Sequence, residues 1–394
     1  MGFTRIKYSD IEKYPHYFKL SQNLKENFFG SSPSVFVGTY SYPNVNVGLL
    51  APQETKENAY LHDAPQFWAY QNYKIPSIVD LRLSLINART QSNIKSQSKI
   101  NQLAQLVGMA SKPTDIEVQL AKKPIISPLT DRTITPMGPA GQIKHVELAQ
   151  NPTIPTKVEK VHSDIDLKSK DALIYLYTND VDENTLSKIL SVAAIGIGKN
   201  RKLVPTRWSI TATDTTFANH LIEQIKDFQM ADYAVYTGDY LGNYYVILMF
   251  PDVYSYELFE VYLAKNISPI DISYSTDYEP NQGRTTYAEN CAGGFYSVRL
   301  AIAEHLNKTR RQAAILALRF ITDEYNIPLG VWVTREASRK AMNSKHLTFA
   351  SKELMLNYVK EFIQRRFGFE VSLLLKESKL MNEQKKQLKL ASFL

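Results

Sequence analysis

From Ser34 to Leu50 apolar residues alternate with small and polar ones, with Val35, Val37, Val45 and Val47 on one side and "YSYPN" between the two runs. Alternation around turn residues predicts two short strands joined at that turn. Apolar positions then recur at helical spacing at Ile78, Leu81, Leu85 and Ile86, which predicts a helix over "IPSIVDLRLSLINAR", with a second from about Ser98 to Ala110. From Lys112 to His162 prolines accumulate in "KKPIISPLTDRTITPMGPAG" and "QNPTIPTK". Proline at this density excludes long helices and central strands, so extended segments over the surface or between two lobes are expected.

Past residue 170 the pattern becomes regular. "ALIYLY" reads as a strand and "VDENTLSKILSVAAIGI" as a helix whose acidic residues lie near its positive end. Ser209, Thr211 and Thr213 alternate as in a strand, and "DTTFANHLIEQIKDF" reads as an amphipathic helix opened by an Asp or Thr cap. "DYAVYTG" and "NYYVILMF" form a hairpin around "DYLGN". The longest helical pattern runs from Phe295 to about Tyr325, "VWV" follows as a short strand, and Lys352 to Phe367 is a further helix. The expected fold is α/β (mixed α+β) in two lobes, residues 1–150 and 151–375, with a Pro-rich connecting region and a flexible C-terminal tail over 376–394.

Composition narrows the class. The 394 residues are 44% hydrophobic and 22% charged, which is globular composition with room for two cores. No apolar run is long enough to cross a bilayer and the N-terminus lacks a signal-peptide core, so a soluble cytoplasmic protein with no membrane partner is expected. Cys291 is the single cysteine, which excludes an internal disulfide and a cysteine zinc site, and the seven histidines form no close pair. A net charge of +7 tilts the chain toward a polyanionic partner.

Candidate chemistry begins at the tail, "QLKLASFL". Residues three apart eclipse on a 3₁₀ turn, so Gln387, Leu390 and Phe393, with Leu394 beside Phe393, would present an amide, an aliphatic plug and an aromatic plug together. This Q-x-x-L-x-x-F-L spacing resembles the PIP box, the peptide with which replication and repair proteins bind the sliding clamp PCNA. The polar, basic stretch "KESKLMNEQKK" before it reads as a tether. In "NRKLVPTRWSITATD", Arg201, Lys202 and Arg207 flank Trp208, the pairing of cations with a flat ring that a phosphate chain and its bases require. "NQGRTTYAENCAGGFYS" carries Arg284 and Tyr287, with Gly293 and Gly294 opening a helix whose amides could hold an anion. Arg310, Arg311 and Arg319, with Arg335 and Arg339 further on, would form a basic face for DNA phosphates. Acid, base or Mg²⁺ work, if any, falls to His162, Asp164 and Asp166 in "VHSDID" and to Asp214. No secure catalytic residue, metal site or cofactor follows.

Taken together, "FGSSPSVFVGTYSYPNVNVGLL", "NPTIPTKVEKVHSDID", "LVPTRWSITATD", "GRTTYAENCAGGFYSVRLA" and "PLGVWVTRE" resemble the archaeal Nre family of DNA repair proteins along nearly the whole chain. The resemblance implies a nucleoid-associated role in repair of DNA damage, with recruitment to the clamp through the tail. Many members carry a cysteine-rich zinc-finger-like segment ahead of the "FGSSPSVFVG" stretch; this chain has no such cysteines, so zinc binding is not carried over. A clamp-tethered DNA-binding factor, a metal-dependent enzyme acting on damaged DNA or a nucleotide, and a non-catalytic clamp adaptor all remain open on the residues alone.

Overall fold

The computed structural model describes residues 23–125, 136–263 and 273–386. Two compact units divide them. The first takes the described residues up to Phe217 together with Ile327–Trp332, and the second those of Ala218–Asn326 and from Val333 onward. This partition differs from the one at residue 150 read from the sequence.

The first unit is built on a six-stranded sheet in the order β1-β5-β6-β4-β3-β2. Its strands are β1 (Asn27–Ser32), β2 (Ser34–Val37), β3 (Asn44–Ala51), β4 (Ile86–Asn93), β5 (Thr114–Leu120) and β6 (Ala140–Leu148). All pairs are antiparallel except β4 with β6. The hairpin of β2 and β3 falls where alternation places it, with Val35, Val37, Val45 and Val47 buried. Helices α1 (Pro65–Tyr70), α2 (Ile75–Leu83), α3 (Lys99–Met109), α4 (Thr156–Ser163), α5 (Ser169–Thr178) and α6 (Glu183–Ser191) complete the unit.

Several expectations need correction. The proline-rich stretch supplies β5 and β6, both interior in the sheet order, because its prolines lie outside those strands and leave the ladder amides intact. Helix α2 stops at Leu83, and Ile86 opens β4. "ALIYLY" belongs to α5, where Ala172, Leu173 and Leu176 are buried at helical spacing. "TRWSITATD" is the start of helix α7 (Thr206–Ile225), not a strand. Pro205 precedes its first turn and accepts from the Trp208 and Ser209 amides at 2.8 and 3.0 Å. The hydroxyls of Ser209, Thr213, Thr215 and Thr216 donate back to carbonyls three or four residues earlier, which is how a run of β-branched residues is accommodated in a helix.

The second unit holds a second six-stranded sheet, in the order β11-β10-β13-β9-β8-β14. After the two-residue strand β7 (Gln229–Met230) come β8 (Tyr233–Tyr240), β9 (Asn243–Phe250), β10 (Ser255–Leu263) and β11 (Ser273–Glu279). Helix α8 (Ala292–Thr309) leads to β12 (Arg311–Gln312), which pairs with β7, and to β13 (Ala314–Thr322). Then follow α9 (Trp332–Met342), β14 (Leu347–Phe349), α10 (Lys352–Phe367), α11 (Ser372–Glu377) and α12 (Lys379–Lys386).

The long helical pattern from Phe295 to Tyr325 is therefore two elements. Helix α8 ends at Thr309, Arg310 turns the chain with φ 54°, and β13 runs through the middle of the sheet. Both faces of β13 are covered, so it reads as a continuous apolar run that periodicity does not separate from a buried helix. Its residues Ala314, Leu316, Leu318 and Phe320 pack in a core with Met355, Val359 and Ile363 of α10. "VWV" likewise opens α9 rather than forming a strand, whereas α10 spans the expected residues.

The stretch read as a tether contributes the last two residues of α11 and all of α12. Leu380 and Met381 are buried in the same core. The buried Glu257 carboxylate accepts from the Ser378 hydroxyl and from the Lys379 and Leu380 amides at 3.0 and 3.1 Å, satisfying the start of α12. The PIP-like residues Gln387, Leu390, Phe393 and Leu394 lie outside the described residues. Among the described residues no helix is long and apolar enough to cross a membrane.

Candidate nucleic-acid interface

Stretches of the first unit that are far apart in sequence run side by side beneath one surface. The Ile94 amide donates to the Pro43 carbonyl at 3.0 Å, and the Leu203 amide to the Ile94 carbonyl at 2.9 Å. The turn between β2 and β3 is closed by Gly38 to Asn46 and Asn44 to Ser41 hydrogen bonds, both 2.8 Å. The Val37 amide donates to the Thr206 hydroxyl at 3.0 Å, tying this hairpin to the first turn of α7.

These stretches, 38–47, 92–99 and 198–208, carry Lys95, Lys99, Lys199, Arg201, Lys202 and Arg207 and no aspartate or glutamate. All of those cations except Arg201 are exposed. The exposed Asp164 and Asp166 lie on the loop bonded to Gly198 and Arg201, and outside that loop the excess of cations suits a phosphate chain. Among them stand three exposed aromatic side chains: Tyr40, Tyr42 and Trp208 are 79%, 42% and 48% accessible. The Tyr42 and Trp208 rings touch, with centroids 5.4 Å apart and planes tilted by 51°.

Arg201 has a different job. Its guanidinium donates to the carbonyls of Gly196, His162 and Asp164 at 2.7, 2.8 and 3.0 Å, so it fastens two loops. Burial lowers its pKa and the nearby Asp164 offsets part of that. His162 is held by Nδ1 against the Ala194 carbonyl at 2.7 Å, and the Asp164 carboxylate accepts from the Asp166 and Leu167 amides at 3.0 Å. Asp214 is buried within α7, while Asp164 and Asp166 are exposed. Among the described residues no group of three His, Cys, Asp or Glu side chains is placed to hold a metal ion.

The arginines read as a basic face in the second unit are mostly committed to it. Arg284 donates to the carbonyls of Tyr278, Tyr287 and Thr286 at 2.7, 3.0 and 3.3 Å, pairs with Asp277 at 3.2 Å, and lies over the Phe295 ring. It thereby holds the 283–287 loop and leaves Tyr287 half exposed beside Tyr296. Arg319 sits on β13, not on a helix, buried against Glu260 and Asn243. Arg335 is buried on α9, and Arg339 pairs with Glu304 and Glu336, each at 2.7 Å. Only Arg310, over the Phe228 ring, and Arg311, donating to Gln229, are exposed.

Two further features resolve as architecture. At Gly294 an added β-carbon would lie 2.6 Å from a Glu260 carboxylate oxygen, so the glycine pair lets α8 approach the chain's own buried carboxylate. Burial pushes the Cys291 thiol well up, away from thiolate chemistry at neutral pH. A cavity of about 340 Å³ beside Arg284 and Lys379 also holds Glu257 and Asp277, which leaves it without a net charge preference.

Of these residues the sequence pattern singles out Arg201, Lys202, Arg207 and Trp208 and passes over Tyr40, Tyr42, Lys95, Lys99 and Lys199. The available signal was the pair of tyrosines in an otherwise polar turn, "TYSYPN", and the acid-free run "NIKSQSK". Bringing them to Trp208 takes the Pro43–Ile94–Leu203 register, which no local pattern encodes.

A family model described as Archaeal Nre, N-terminal, matches residues 7–267, and one described as Archaeal Nre, C-terminal, matches residues 279–393. The chain is 35% identical over 341 residues to the DNA repair protein NreB of Archaeoglobus fulgidus, an alignment covering 86% of this chain and 85% of that one. It is 33% identical over 327 residues to the DNA repair protein NreA of Haloferax volcanii, covering 80% and 78%. With the DNA repair protein NreA of Archaeoglobus fulgidus the identity is 34% over 326 residues, covering 82% and 81%. No solved structure matches.

Proposed function

The chain belongs to the archaeal Nre family, and from that premise we propose that it is a DNA repair factor, meeting DNA through the face of Tyr42, Trp208, Lys202 and Arg207 and recruited to the sliding clamp PCNA by Gln387, Leu390, Phe393 and Leu394. The observation that carries the DNA contact is the set of exposed cations around exposed rings, on stretches that themselves contain no acidic residue, in a chain whose relatives are named DNA repair proteins. The recruitment rests on the Q-x-x-L-x-x-F-L spacing. Burying one Phe and two Leu contributes roughly 5–8 kcal/mol gross, and ordering the peptide offsets much of it. Micromolar affinity for the clamp is the expected result. Tethering then raises the concentration of the basic face at DNA without further contacts.

Two measurements test the reading. Leu390→Ala with Phe393→Ala in the full chain abolishes co-elution with PCNA while leaving DNA affinity unchanged; continued co-elution of the double variant defeats the recruitment assignment. DNA binding weakens steeply with added salt, and binding indifferent to salt defeats the phosphate-contact assignment.

A further inference from the structure

We infer that the nucleic acid this face takes is single-stranded, or has bases lifted from their stack, an inference that rests on the DNA-binding reading above and narrows its substrate. A B-form duplex offers phosphates, sugars and groove edges, and its base faces are covered by their neighbours. Cations alone would serve such a partner. Exposed ring faces add binding only where a base is free to lie against them, and every base then fits because every base has a π face.

The rings in question are fixed. Tyr42 stands on a turn closed by backbone hydrogen bonds, Trp208 stands on the first turn of α7, and the Val37–Thr206 bond joins the two mounts. The tilt of 51° at 5.4 Å leaves each ring partly covered by the other and partly open. Little ordering is therefore left to occur when a base arrives. The aliphatic side chains of the same stretches, Val45, Val47, Ile94 and Leu203, are buried, so the apolar surface offered here is aromatic and presents flat faces on which bases can stack. Lys202 and Arg207 beside the rings supply the charge a phosphate chain needs next to its bases.

The protein carries its own reporter. Of its three tryptophans, Trp68 and Trp332 are 0% and 5% accessible, so Trp208 is the one that faces water. Tryptophan emission and its quenching by acrylamide are read on the unmodified full chain while oligothymidylate is added, and affinities for that strand and for a duplex of equal length are compared by anisotropy at one salt concentration. The strand binds more tightly than the duplex, changes the emission and shields Trp208 from acrylamide. Trp208→Ala lowers strand affinity by at least about fivefold and removes the preference, whereas Trp208→Phe keeps most of both. Equal affinity for strand and duplex, with emission unmoved and Trp208→Ala neutral, overturns the inference; if Lys202→Glu with Arg207→Glu still weakens binding in that case, the DNA-binding reading survives without it. Absence of binding to either form at low salt removes both.

Discussion

Two sets of basic residues, alike in sequence, do opposite work. In the second unit Arg299 meets Glu279 at 2.6 Å, Arg319 meets Glu260, and Arg339 meets Glu304 and Glu336, all inside or at the edge of the core. In the first unit Lys95, Lys99, Lys199, Lys202 and Arg207 stand in water on stretches with no acidic residue. An arginine that has its carboxylate at hand is spent on architecture, because leaving either partner alone in the interior costs far more than the pair contributes. A cation without one, next to an exposed ring, has its hydrogen-bonding capacity still available. Partner supply, more than the count of basic residues, separates the cations held in the fold from those left open to a ligand.

The comparison breaks most visibly at Arg319. Burial alone would lower its pKa, but Glu260 holds the guanidinium firmly protonated. Arg319→Ala strands that carboxylate and lowers stability by about 3–5 kcal/mol in a urea titration; an unchanged midpoint would mean that the pair is not structural. On the other side, Lys202→Glu with Arg207→Glu reduces DNA affinity about tenfold or more and shallows the plot of log K against log salt by about 1.4 to 1.8. The same variant keeps its unfolding free energy within about 0.5 kcal/mol of the parent. A stability loss there as large as at Arg319 would erase the distinction.

The smallest effect separates a buried cation from a half-buried base that stays neutral. His305 packs against Tyr236 and donates or accepts across 3.1 Å to its hydroxyl. Burial, then the neighbouring His346 and Lys308, hold its pKa down to about 4 from 6.5. The unfolded chain therefore binds a proton that the folded chain does not between those values, so stability falls as pH drops from 6.5 toward 4 and is level above 6.5. Unfolding midpoints followed across that window lose this slope in His305→Gln; an unaltered slope assigns it to other groups.

What could be read in advance follows the reach of each signal. Strands β2, β3, β8 and β9 and helices α3 and α10 were legible because their periods and turn residues are local. "AILALRFI" was not, since a strand covered on both faces loses the alternation that would identify it. The start of α7 was misread because its serines and threonines favour a strand until their hydroxyls find carbonyls one turn back. For the site, Arg207 and Trp208 announced themselves as neighbours, but the commitments of Arg201 and Arg284 to their own fold depend on partners that are distant in sequence or on loop carbonyls. Charge is visible in a sequence; its neutralisation is not.

The Glu257 cap on the last described helix fixes a length. With Leu380 and Met381 seated in the core, the chain leaves its anchor at the end of α12, at Lys386. Leu390 is then at most about 14 Å of fully extended backbone away, and Phe393 about 25 Å. On the proposed recruitment, a clamp ring held by those side chains is on a short leash and comes up nearly flush with the protein that holds it.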